Sequence, residues 1–267
     1  MHLLEVIGGG VIRGLAYIGG LTMQGWGGLR ASPHVLPLVG KRGRWQAALR
    51  QMVAVGVDAV PMVGIMSVCA GFILAMQAGA ELRRFGALQY VMDTVAIGFT
   101  RELGPLLTAF VVSGRSGSAF SAEIGTMVVT SEIDALRTMA IDPVEFVLAP
   151  KYVAAMITIP CLSIMSNAFG ILAGFGFMFI TTRYTLSMYL RYVSESIELN
   201  DVFIGLLKSV VFAVIIVNVG CLEGFRTRGG PDAVGRSATS AVVWSTFFVI
   251  LADVFFTAIF YLVHKGA

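Results

Sequence analysis

Residues 152–182, YVAAMITIPCLSIMSNAFGILAGFGFMFITT, contain no Asp, Glu, Lys or Arg. As an α-helix rising about 1.5 Å per residue, this stretch is longer than the hydrocarbon core of a bilayer, which is about 30 Å thick. The whole chain is 57% hydrophobic and 13% charged, whereas soluble proteins average about 25% charged residues. Its apolar stretches lack the short alternating pattern of outer-membrane β-strands. The sequence therefore predicts an all-α integral membrane protein.

Outward from this stretch, four more apolar segments predict four more membrane spans in a single membrane domain, residues 1–267. The five predicted spans are residues 52–78, 94–112, 152–182, 202–222 and 242–263. Residues 1–30 are apolar but include Glu5 and Arg13, which favours an interfacial helix over a span. Most Lys and Arg residues fall on one side of these spans, Lys41 among them, and fewer on the other, such as Arg183. The positive-inside rule then predicts a cytoplasmic N-terminus and a C-terminus on the far side.

Charge, glycine and proline are concentrated in residues 101–151, from inside the second predicted span to the start of the third. Arg101 and Glu102 fall inside the second span, where a lone charge costs about 2.5–3.5 kcal/mol. We expect them either to line a wet cavity or to form structural ion pairs between spans. Residues 119–142 have apolar side chains at helical spacing with acidic neighbours, and Pro143 ends the helix. They predict a cytoplasmic helix that docks in a groove of a soluble partner, or else a solvated connector.

Several classes of function are disfavoured by the sequence. It contains no P-loop motif for ATP phosphates, and its three histidines are too far apart for a metal site. The string SGRSGS at residues 113–118 does not match the nucleophile motif of α/β-hydrolases. No basic cluster is long enough to suggest nucleic-acid binding. We predict no catalytic residue, no metal site and no cofactor in this chain.

Five short motifs follow one another from inside the second predicted span to the segment before the third. They are RELGP (101–105), GRSGSA (114–119), AEIGTM (122–127), EIDALRTM (132–139) and DP (142–143). In this order the segment resembles the signature region of the MlaE family, the permeases of ABC systems that move phospholipids between bacterial membranes. EIDALRTMA also loosely resembles the EAA loop of ABC importers, although Ala140 stands where that loop has glycine.

The resemblance implies a homodimeric permease in the bacterial inner membrane that maintains the lipid asymmetry of the outer membrane. Its implied partners are a cytoplasmic ABC ATPase that binds the ATP, a periplasmic ring of MCE-domain proteins, and a STAS-domain protein on the ATPase. The C-terminus would then be periplasmic. The residues expected to couple to the ATPase are Glu123, Glu132, Asp134 and Arg137. The residues expected along the phospholipid pathway are Leu74, Gln77, Leu82, Phe85, Arg101 and Glu102, although ordinary helix packing also explains Leu74 and Phe85.

Other functions stay open at this point. An ion-coupled secondary transporter of an amphipathic substrate would use Arg101, Glu102 and Lys208, and it would transport without an ATPase. A lipid-modifying enzyme or a scaffold is further from the pattern. Two G-x-x-x-G motifs, Gly170/Gly174 and Gly220/Gly224, predict close helix packing, either within the chain or at a dimer interface.

Overall fold

The computed structural model describes residues 2–32, 42–182 and 184–266, and every element in these ranges is helical. Lys41 and Arg183, which entered the predicted charge distribution, lie outside the described residues. A 3-10 turn at Val57–Ala59 joins α2 to α3, and π-helical turns at Phe99–Leu103 and Ser113–Gly117 join α4 to α5 and α5 to α6. The helices are α1 (His2–Ala31), α2 (Arg42–Val55), α3 (Val60–Arg84), α4 (Tyr90–Gly98), α5 (Gly104–Val112), α6 (Ser118–Val129), α7 (Glu132–Thr138), α8 (Pro143–Thr182), α9 (Leu186–Ser196), α10 (Leu199–Phe225) and α11 (Pro231–Gly266).

Five helical segments are long and apolar enough to cross a membrane, as predicted. They are Trp45–Arg84, Tyr90–Val129, Pro143–Thr182, Leu199–Phe225 and Pro231–Leu262. Each segment covers a predicted span to within one residue, and three of the five extend it at both ends, whereas the third and fifth extend it only at the start. The third, for example, begins at Pro143, because proline fits the first turn of a helix, where its missing N–H is not needed. Lys151 therefore does not mark the start of the third span.

The second span differs most from the prediction. Residues 119–129, predicted as part of a cytoplasmic helix after a span at 94–112, instead continue that span through the π-helical turn at Ser113–Gly117. Phe120 and Ile124 are buried in the main apolar core of the bundle, and burial of these side chains holds α6 against α10. Of the predicted coupling region, only α7 is a separate helix.

Glycines set how closely the spans approach one another. A side chain on Gly71 of α3 would place its Cβ 2.2 Å from the carbonyl oxygen of Gly170 on α8. On α10, a Cβ at Gly220 would lie 2.8 Å from the Gly117 carbonyl oxygen, and one at Gly224 2.8 Å from Ile124 Cβ. Both G-x-x-x-G motifs therefore have a glycine packed closely against neighbours within this chain.

Two helices outside the five spans flank the bundle. On α1, Gln24 Nε2 donates to the Asn218 carbonyl oxygen at 3.3 Å, and Asn218 Nδ2 donates back to the Leu21 carbonyl oxygen at 2.9 Å. These bonds attach α1 to α10. On α9, the buried Tyr189 hydroxyl donates to the Ile171 carbonyl oxygen at 2.9 Å, and burial raises the pKa of that hydroxyl. Because α9 joins the end of α8 to the start of α10, it marks one end of the bundle, here called the α9 end.

Candidate functional site

Arg101 and Glu102 lie in the π-helical turn at Phe99–Leu103, inside the second span. π-helical turns interrupt α-helices most often at functional positions. Helix α10 lies directly against this turn, because a Cβ on Gly205 would lie 2.1 Å from the Thr100 carbonyl oxygen. The absence of a side chain at Gly205 thus lets the charged residues of α10 reach Arg101 and Glu102.

Each of the two charges has a partner on a neighbouring helix. Arg101 Nε lies 3.3 Å from Asp201 Oδ1 on α10. Lys208 Nζ, on the same helix, is fully buried and donates to the Glu102 carboxylate. Arg101 and Glu102 are therefore not paired with each other. Each joins the second span to α10.

Lys208 is the centre of a network that also includes α11. Besides Glu102, its ammonium group donates to Asp253 Oδ1 and Thr257 Oγ1, each at 2.9 Å. The Thr257 hydroxyl donates to Glu102 Oε1 at 3.1 Å. An ammonium group has three N–H donors, so these three partners use its full capacity. One cation and two carboxylates hold three spans together.

A cavity of about 330 Å³ opens beside this network. Its lining residues come from the second span, α10 and α11, and they are Ile97, Gly98, Arg101, Glu102, Ile204, Thr257, Phe260 and Tyr261. The Arg101 and Glu102 side chains are each 35% exposed. Ile204 is near the start of α10, and Tyr261 is near the end of the last span. The cavity consequently lies in the α9 half of the bundle.

The other four residues expected along the lipid pathway do not line this cavity. Leu74 and Leu82 of α3 are half-buried against the apolar cluster around Phe99 and Tyr189. Gln77 and Phe85 are exposed, Phe85 by 79%. Leu74 does approach it, since a Cβ on the cavity-lining Gly98 would lie 3.6 Å from Leu74 Cδ2.

The coupling residues separate into two places. Glu132, Asp134 and Arg137 are exposed on α7, where Arg137 Nη1 lies 3.2 Å from Asp134 Oδ1. The Glu132 carboxylate accepts a hydrogen bond from the Thr130 hydroxyl at 3.0 Å. Glu123, by contrast, lies on α6 and pairs with Lys151 of α8 at 2.6 Å. Glu123 therefore belongs to the bundle and not to the α7 surface.

The apolar side chains of α7 face inward. Ile133 and Leu136 are buried in the main core, so they anchor α7 to its own chain and are not free to dock in a partner. Just after α7, the large apolar side chains of Met139 and Ile141 are exposed, Met139 by 60% and Ile141 by 37%. Two non-glycine residues with left-handed backbone flank the helix, Ser131 at φ 61° and Ala140 at φ 56°. The chain thus turns sharply at both ends of α7.

A cleft of about 540 Å³ lies beside α7, and α1 forms its other wall. Its lining includes Met23 and Gln24 from α1, and Asp134 and Arg137 from α7. The predicted interfacial helix and the predicted coupling helix therefore meet at the same end of the molecule.

Several residues of these sites were not predicted. Asp253 and Thr257 belong to the network around Lys208, and Asp201 pairs with Arg101. Lys151, only 2% exposed, lies over the Phe120 ring at 5.2 Å. A sequence signal existed for Asp253, because an ionisable residue inside a span is a functional candidate by default. In the part of the chain that the structure describes, no group of three or more His, Cys, Asp or Glu could hold a metal ion.

Comparison with known proteins identifies relatives over most of the chain. The family model described as "Permease MlaE" matches residues 48–259. A probable ABC transporter permease protein of Rickettsia typhi is 34% identical over 213 residues, which cover 80% of this chain and 82% of the relative. One of Synechocystis is 37% identical, covering 78% and 79%. The chloroplastic protein TRIGALACTOSYLDIACYLGLYCEROL 1 of Arabidopsis thaliana is 30% identical, covering 88% and 69%.

Proposed function

Because the chain belongs to the MlaE family of ABC transporter permeases, we propose that it moves phospholipids between the inner and outer bacterial membranes and so maintains outer-membrane lipid asymmetry. A permease of this class works with a separate ATPase, which binds and hydrolyses the ATP. The chain acts as a homodimer in the inner membrane, with its N-terminus in the cytoplasm and its C-terminus in the periplasm. The other proposed partners are a periplasmic MCE-domain ring and a STAS-domain protein on the ATPase.

The observation that best supports this proposal is that a single helical segment connects the network around Lys208 to α7. The segment Tyr90–Val129 contains Glu102 near its α9 end and ends one turn before Glu132 at the opposite end. Ile133 and Leu136 fasten α7 to the core that α6 and α10 share. A displacement of α7 by an ATPase would therefore also move the helices that carry Glu102 and Lys208.

The network around Lys208 is the element that changes during transport. Lys208 holds three spans through side-chain contacts alone, and such contacts can exchange partners without unfolding a helix. We expect the cavity beside it to take up a lipid headgroup in one arrangement and to release it in the other. Leu74 and Leu82, with the exposed Gln77 and Phe85, would continue the path for acyl chains along α3. The name of the Arabidopsis relative refers to a lipid, which agrees with lipid cargo.

The decisive experiment tests coupling through α7. The chain is purified from its native membrane with the proteins that accompany it and reconstituted in phospholipid vesicles. Replacing Glu132 and Arg137 together by Ala removes charge from both ends of the exposed α7 surface and leaves Ile133 and Leu136 in place. We expect ATP hydrolysis to lose its stimulation by the permease, and lipid transfer to fall at least tenfold, while the amount of inserted protein stays unchanged.

The matched control is the pair Arg191 and Glu195, whose side chains lie 2.9 Å apart on the exposed face of α9. Replacing both by Ala removes an equivalent surface pair at the α9 end and should leave ATP hydrolysis unchanged. Normal transfer by the α7 double variant would refute the coupling role. Transfer by the chain without any ATPase would instead favour the ion-coupled secondary transporter.

A further inference from the structure

The charges around the cavity do not balance. Arg101 and Asp201 form a neutral pair. Lys208 meets two carboxylates, those of Glu102 and Asp253. With one ammonium against two carboxylates, the network holds one more negative than positive charge.

This extra negative charge lies at the cavity wall, where a ligand would meet it. Lys208 is fully buried, and its three N–H groups are all occupied, so its charge is not available to a ligand. Arg101 and Glu102, in contrast, both line the cavity with about a third of each side chain exposed. A ligand therefore meets a guanidinium beside a carboxylate, with the extra negative charge of Asp253 behind them.

The position and volume of the cavity limit what it can hold. It lies in the α9 half of the bundle, near the end of the last span, where the headgroups of one leaflet would enter. Its volume of about 330 Å³ is at the lower end for ligand sites, which run from about 300 to 1,000 Å³. Such a cavity accommodates a lipid headgroup, while the acyl chains stay outside it.

We propose that this cavity selects phospholipids whose headgroup carries an ammonium group over phospholipids of net negative charge. The lipid phosphate pairs with the Arg101 guanidinium, and the ammonium group pairs with the Glu102 carboxylate. A zwitterionic headgroup adds no net charge, whereas an anionic one adds a second uncompensated negative charge beside the first, and the two like charges repel each other. This inference rests on the proposed function, since it requires that lipid enters the cavity.

The test measures which lipid the protein retains. The full chain, purified with its accompanying proteins, is placed in nanodiscs of equimolar phosphatidylethanolamine and phosphatidylglycerol. It is then extracted in mild detergent, and the retained lipids are counted by mass spectrometry. We expect phosphatidylethanolamine to exceed phosphatidylglycerol by about tenfold, the ratio that one modest charge interaction produces.

Variants separate the charge argument from loss of structure. Glu102→Gln removes the surplus charge from the cavity wall, and the ratio should fall to about one. Asp253→Asn removes the same charge from a residue that does not line the cavity. It should lower the ratio in the same way, and so it tests the charge argument if Glu102→Gln fails to fold. Glu195→Gln, an exposed carboxylate on α9, is the matched control and should keep the wild-type ratio.

The outcomes distinguish this inference from the proposed function. Retained lipid with a ratio near one in the wild-type protein would overturn the headgroup preference alone. A tenfold preference that persists in both Glu102→Gln and Asp253→Asn would overturn the assignment to this network. If no phospholipid is retained at all, the proposed function fails as well.

Discussion

Replacing Lys208 by Met should be among the most damaging single substitutions in this chain. Methionine has nearly the same length as lysine but cannot donate to Glu102, Asp253 or Thr257. Because Lys208 is fully buried, its removal leaves two carboxylates close together inside the bundle without a cation. Removing one partner from a buried ion pair costs about 3–5 kcal/mol.

The effect is large enough to measure by thermal unfolding in detergent. For a chain of about this length, each kcal/mol shifts Tm by about 2–4 °C, so we expect Tm to fall by about 6–20 °C. Arg84→Ala is the control, since Arg84 pairs with Glu81 at 3.3 Å on an exposed surface. Exposed pairs contribute less than about 1 kcal/mol.

A compensated variant identifies the cause. In the triple variant Lys208→Met, Glu102→Gln, Asp253→Asn, no unpaired charge remains in the network. Stability should then return to within about 2 kcal/mol of the wild-type protein, because neutral replacements of buried ion pairs are often tolerated. A Lys208→Met variant no less stable than Arg84→Ala, or a triple variant as unstable as the single one, would refute the reasoning.

Two further predictions concern the backbone. Gly71→Ala places a Cβ 2.2 Å from the Gly170 carbonyl oxygen, so it should destabilise the protein by about 1–3 kcal/mol. The control is Gly114→Ala, whose Cβ would meet nothing within 4 Å. It should be neutral or stabilising in the same unfolding assay. Ala140→Gly should stabilise the protein by up to about 1 kcal/mol, because glycine adopts the left-handed conformation at φ 56° without strain. The matched Ala135→Gly, within α7, should destabilise by a similar amount, and equal effects of the two glycine variants would contradict the strain argument.

The number of spans was predictable from sequence, but their ends were not. Long apolar stretches need no partner to be recognised, because their length alone matches the bilayer. The third span was predicted to begin after Lys151, on the assumption that a charge marks the edge of the membrane domain. In the structure Glu123 neutralises Lys151 at 2.6 Å, so the helix continues past it to Pro143. Recognising this requires knowing that α6 lies against α8.

The network around Lys208 was likewise only partly predictable from the sequence. Arg101, Glu102 and Lys208 are visible in the sequence as charges inside spans, and their cost indicates that each must have a partner. The identity of the partner depends on how α10 lies against the second span, since Glu102 and Lys208 are 106 residues apart. That contact requires the bare backbone of Gly205, whose role no local pattern reveals. The charges in the sequence therefore indicated where the site is. Which residues pair with one another there depends on how the helices pack.

The π-helical turn that holds Arg101 and Glu102 has a consequence for comparing homologues. A π-helical turn contains one residue more than the α-helical turn it replaces, so everything beyond it is rotated by about 100° relative to an uninterrupted helix. Deleting one residue from Phe99–Leu103 could restore a regular helix of nearly unchanged length, yet it would turn a different set of side chains toward the cavity. A one-residue gap at this position in an alignment should therefore be interpreted as a change in which side chains line the cavity within an intact span, and not as a shortened loop.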